Sequence, residues 1–289
     1  MTKASTSILF LVAGLIAVPG CAGGVDDGEA PRSAAIVGAG ADDDPAAAAA
    51  PAAVRDWRPW VAAELDRLRV ERAAYVDEVM NLPVRATRAG FPRITGPIVR
   101  DRDAAPILIH RLLTAGESAE VRAAIVDALP RTEGDFSAAV AELITTETDE
   151  RVRELLSSAL ARAQAPFALE GLAVGLTDAS PRVRAEAVRS LGRRTDGASL
   201  ATGLVTALGD GDVVVQQEAA RALGNLEVRS AADALVGALA SPDADLRRHS
   251  LRALSRVDPE RARTLPQLQT LRSDPDPKIA RLADELARP

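Results

Sequence analysis

Few residues in this chain could make or break a bond. Of 289 residues one is cysteine, Cys21, and two are histidine, His110 and His249. A thiolate can attack an electrophile or hold a metal, and paired imidazoles can share one. Here the histidines stand 139 residues apart, neither is followed by glutamate, and Cys21 lies behind an uncharged apolar run from Ile8 to Val18. Both histidines read as solvent-facing helix positions. No catalytic residue, metal set or cofactor is expected. What remains is arginine, 33 residues against two lysines, an excess that reads as the mark of a GC-rich genome. A guanidinium stays charged and presents a planar fork of donors to carboxylates and phosphates. Arginines matter here only where some element lines them up.

That element is a phrase recurring about every 31 residues, clearest as SPRVRAEAVRSLG from Ser180 and DVVVQQEAARALG from Asp212. Aligned on an apolar anchor, the copies begin at Val121, Val152, Val183, Val215, Leu246 and Ile279. Residues four, seven and eight beyond each anchor are small or apolar, which places them on one stripe of a 3.6-residue helix. Three residues before the anchors stand Ser118, Asp149, Ser180, Asp212, Asp243 and Asp276, all able to accept from the free amides of a helix start. Pro181 and Pro277 suit the first helical position.

Upstream of each anchor a shorter apolar pair marks a first helix: Ile109/Leu113, Val140/Ile144, Leu172/Leu176, Leu204/Leu208 and Leu235/Leu239, with Leu268/Leu271 out of step. Each unit is a helical hairpin too small to bury its own stripe, so neighbours must stack. Alanine or serine at the seventh position suits close approach of the helices.

These units resemble short HEAT-like repeats of the phycobiliprotein-lyase class, over roughly Asp101 to Pro289. The resemblance implies an all-α, right-handed solenoid of about six hairpins, with second helices lining the concave side. It also implies a ladder in which an acidic residue pairs with an arginine six positions later. Glu147 with Arg153 and Asp178 with Arg184 match that pattern, whereas Asp210 faces Gln216 and Asp274 faces Ala280. Offsets three, six and ten from the anchors share the face left open. They collect a candidate partner-binding ridge of Arg131, Arg162, Arg189, Arg193, Arg221, His249, Arg252 and Arg256. The plainer account is that Glu186 with Arg189 and Glu218 with Arg221 are solvated pairs one turn apart, and that arginines at offset ten favour a helix end.

Residues 1–20 have the layout of a secretory signal, too short to span a membrane. The tetrapeptide VPGC resembles the lipobox of bacterial lipoproteins, which implies that Cys21 becomes a lipidated first residue; Pro19 departs from the usual small or hydroxylated residue. Ala22 lacks the aspartate that retains such proteins at an inner membrane, which points to an outer membrane facing the periplasm. Residues 21–56 read as a tether rich in alanine, aspartate and proline. Residues 57–100 read as an N-terminal cap, one long amphipathic helix from Trp57 to Leu82 and then an irregular loop.

Charge narrows the function. The chain is net −6, and from Trp57 onward 32 basic residues face 34 acidic ones. A nearly balanced solenoid lacks the basic face that nucleic acid needs. The expected function is a lipid-anchored, non-catalytic scaffold of the cell envelope that holds another protein in its concave face. Two alternatives remain: a bilin lyase or lyase chaperone, implied by the repeat class, and a spacer self-associating through the Trp57–Leu82 segment.

Overall fold

A computed structural model describes residues 56–86, 92–96, 100–114 and 116–288. The signal, Cys21 and all but the last residue of the tether lie outside them. The described chain is an all-α solenoid preceded by a cap.

Position 72 splits the expected single cap helix into α1 (Trp57–Glu71) and α2 (Ala73–Met80). Arg72 leaves the helical region at φ −142° and ψ 45°, stacks over Tyr75 and forms ion pairs with Asp101 and Asp103. Trp57, Val61, Leu65, Leu68, Val76 and Val79 are buried in the chain's own core. Trp57 Nε1 donates to Glu142 Oε2 at 2.7 Å, and Arg58 grips both oxygens of the same carboxylate, so the cap is bolted to the second unit. The expected loop also contains order: β1 (Val84–Ala86) pairs antiparallel with β2 (Pro92–Ile94). Pro92 sits at a strand's first residue, where its missing N–H is tolerated.

Hairpins then follow in sequence: α3 (Ala104–Leu113) with α4 (Ala119–Ala128), α5 (Ser137–Thr146) with α6 (Glu150–Leu160), and α7 (Phe167–Gly175) with α8 (Pro181–Leu191). After them come α9 (Ala201–Ala207) with α10 (Val213–Asn225), and α11 (Ala232–Ala238) with α12 (Ala244–Val257). An additional helix, α13 (Pro259–Thr264), precedes the last pair, α14 (Leu268–Leu271) and α15 (Pro277–Leu286). This insertion, started by Pro259 and the Asp258 side chain, is why Leu268/Leu271 fall out of step.

Five of the six expected caps accept from amides of their helix; Asp149, for instance, takes the Val152 N–H at 3.0 Å. Ser180 does not. Its Oγ bonds instead to Glu150 Oε1 of the preceding unit at 2.8 Å.

The charged ladder corrects the expected pairing. The carboxylates are taken by the arginine of the preceding unit and not by the one six residues on. Arg122, Arg153, Arg184 and Arg247 reach forward to Glu147, Asp178, Asp210 and Asp274, each through Nε and Nη2 on two oxygens at 2.7–3.1 Å. The third nitrogen, Nη1, donates to a carbonyl in the loop just before the arginine's own second helix at 2.9 Å. Each rung therefore ties three segments. The hydrogen bonds from Arg184 and Arg247 hold Asp210 and Asp274 below the usual carboxylate range. At Glu147 and Asp178 burial pushes the other way, and the arginine together with backbone amides outweighs it and lowers both.

One junction lacks its rung, and both partners differ together: Gln216 replaces the arginine and Ser241 the acid, while Gln217 Nε2 bonds Asp243 at 2.9 Å. Arg184→Gln strands a half-buried carboxylate and should cost about 2 kcal/mol. Asp210→Ser should cost a similar amount. The double substitution, which copies the natural junction, should cost at least ~1 kcal/mol less than the two singles together, as read from urea denaturation.

Second helices pack directly on one another from α4 through α15, whereas α9 and α11 pack chiefly on their own second helices. Small residues permit this. A Cβ added to Gly192 would lie 2.9 Å from the Ala222 methyl, and one on Gly224 would lie 2.8 Å from Ala253 Cα.

Candidate functional site

All eight expected ridge residues line three shallow depressions between successive second helices. Arg131, Arg162 and Arg193 surround the first, Arg189, Arg193 and Arg221 the second, and Arg221, His249, Arg252 and Arg256 the third. Arg193 belongs to the first two and Arg221 to the last two, so the depressions join into one groove. Arg93, which the sequence reading did not include, also lines the first; it comes from β2, outside the repeat pattern.

The seven ridge arginines face three groove carboxylates, Asp127, Glu186 and Glu218, an excess of four positive charges. The engagement of these arginines is uneven. Arg189 bonds Glu186 on its own helix and Glu218 of the next unit, the latter at 3.1 Å. Burial opposes the charge on Arg189, yet its contacts with Glu218 and Glu186 win and raise its pKa. Glu186 is 7% exposed, so it serves the stack more than the solvent. Arg221 shares Glu218 at 3.3 Å, Arg256 donates to Asn225 Oδ1 at 2.9 Å, and Arg193 comes no nearer than 3.8 Å to Glu186. Among the described residues the guanidiniums of Arg162 and Arg252 have no hydrogen-bonding or charged partner. The sequence reading of plain pairs one turn apart therefore holds for Arg189 and Arg221 in part, since Glu218 bridges two units.

His249 corrects another expectation. It is half-buried, because the groove between α10 and α12 closes around it, and burial followed by the charges of Arg221 and Arg248 pushes its pKa down. Among the described residues no group of three or more His, Cys, Asp and Glu side chains could hold a metal ion, and no helix is long and apolar enough to cross a membrane. A separate apolar cleft, on the side of the first helices, is lined by Trp57, Trp60, Ile109, Phe136 and Phe167. In the Arg221→Gln variant the His249 ring should titrate at higher pH than in the parent chain, followed by NMR of the imidazole protons.

Residues 201–287 match the family model for HEAT repeats. No curated protein matches the chain. Among solved structures, an engineered protein is similar over 73% of this chain and 96% of its own, at 23% identity and a TM-score of 0.45. The designed armadillo repeat protein YIII(Dq)4CqI matches over 63% of this chain and 98% of its own, at 18% identity and 0.45. A designed armadillo repeat protein in complex with the peptide (KR)4 matches over 79% and 97%, at 19% identity and 0.40. The C-terminal part of the chain is thus similar to HEAT repeats, within a body that is an α-solenoid from Ala104 onward.

Proposed function

We propose that this protein is a non-catalytic binding scaffold whose inner groove holds an acidic segment of another protein, and that a lipidated Cys21 tethers it in the bacterial cell envelope. The observation that carries the first half is the groove's positive excess on a body whose overall charge is slightly negative. Arginines held by neighbouring carboxylates, such as Arg189, fix the shape of the groove. Arg252, which has no such partner, and Arg256, held only by an amide, are free to turn toward a ligand. Guanidinium to carboxylate contacts are short and directional, so a row of them at the repeat spacing selects an extended acidic chain over a diffuse anion. The second half rests on the sequence alone: one cysteine, placed after an apolar run and before an acidic tether. Several acyl chains on one residue would anchor stably where a single chain does not.

Two substitutions test the two halves separately. Arg252→Glu with Arg256→Glu should weaken binding of a fluorescent polyglutamate peptide by ~10-fold or more at low salt, with folding stability within about 0.5 kcal/mol of the parent. Unchanged peptide affinity contradicts the groove assignment. Cys21→Ser should move the protein from the membrane pellet to the soluble fraction, and unchanged sedimentation with membranes contradicts the anchor.

A further inference from the structure

At the N-terminal end of the groove four arginines from separate elements line one open depression of about 600 Å³. Arg93 comes from β2, Arg131 follows α4, Arg162 follows α6 and Arg193 follows α8. Among the described residues the only carboxylate lining it is Asp127, and it is already divided: Arg93 Nε and Arg131 Nη2 both lie 3.2 Å from its Oδ2. Arg131 is further fixed by donating to the Ile94 carbonyl at 2.8 Å. The Arg162 guanidinium has no partner among the described residues, and Arg193 is 55% exposed with Glu186 as its nearest carboxylate, which Arg189 occupies.

Four guanidiniums less one carboxylate leave three positive charges. The carbonyl ends of α4, α6 and α8 each contribute roughly half a negative charge at most, so an excess of at least about 1.5 remains. The crowding of charge shows at Arg131, where burial and the charge of Arg93 push the pKa down and Asp127 only partly offsets them. A single carboxylate would leave part of the excess unmet. We infer that this pocket binds a doubly charged oxyanion of the phosphate monoester type, with Arg131 as its fixed floor and Arg162 and Arg193 as the forks that close on it. The inference rests on the reading that the groove receives an anionic partner, and it names a second, more highly charged group that this partner or a free phosphate ester would present.

The test titrates the full chain with phenyl phosphate. Arginine stays charged throughout, while a phosphate monoester loses its second proton near pH 6, so binding should tighten by roughly tenfold between pH 5 and pH 7.5. Arg162→Gln with Arg193→Gln should weaken it ~10-fold or more, and Arg252→Gln with Arg256→Gln should leave it unchanged. No saturable binding, equal binding at the two pH values, or indifference to the Arg162 and Arg193 changes would overturn the inference. A phosphoserine peptide that binds much more tightly than phenyl phosphate assigns the group to a protein partner; equal affinities assign it to a free ester. Loss of polyglutamate binding alone would sink the acidic-partner reading and spare this pocket, and loss of phenyl phosphate binding alone would do the reverse.

Discussion

The structure depends on one contact repeated at four junctions between units, the arginine just beyond the anchor gripping a carboxylate 25 to 27 residues ahead. A hairpin of two short helices cannot exclude water from its own apolar stripe, so stacking is obligatory. Apolar packing alone fixes neither the rotation nor the advance from one unit to the next. The two-pronged rung does, because a planar fork meets a carboxylate well only in one orientation. The same carboxylate also accepts the amide two residues on, as Asp178 does from Ser180, so the rung helps to start the next second helix.

Once the second helices are locked side by side, the rest of their surface is divided. One stripe is core, the ladder edge is occupied by rungs, and the remaining face carries the groove. The arginines there differ in how firmly they are held, from Arg189 between two glutamates to Arg162 and Arg252 with none. A chain that is nearly neutral from Trp57 onward thereby gains a positive groove. The separation is spatial and leaves no trace in the composition.

Much of this is legible in the sequence because a helical repeat writes its packing into fixed offsets. The anchors, the small residues at the seventh position and the acidic caps all follow from the 3.6-residue period and from helix-start chemistry. The eight ridge residues come from the same arithmetic. Partners between units do not. The rung joins residues 25 or more apart, and a nearer acid, Asp178 for Arg184, sits at an equally plausible offset; only the stacked geometry shows that Arg184 takes Asp210 through its fork and the Asp178 carbonyl through Nη1. The cap was misjudged for a similar reason. Trp57 to Leu82 carries one amphipathic pattern, and the break at Arg72 is driven by ion pairs with Asp101 and Asp103, far along the chain. Arg93 was invisible because it belongs to no repeat, and the half-burial of His249 depends on how closely α12 lies against α10.

The central claim is that the rungs couple neighbouring units into one body, so that the groove is a property of the stack and not of any single hairpin. Native-state hydrogen exchange of the full chain with Arg184→Ala tests it most directly. The account predicts that amides of both α8 and α10, on the two sides of the broken rung, lose protection together and by a similar factor. Loss of protection confined to α8, with α10 exchanging as in the parent chain, would contradict it.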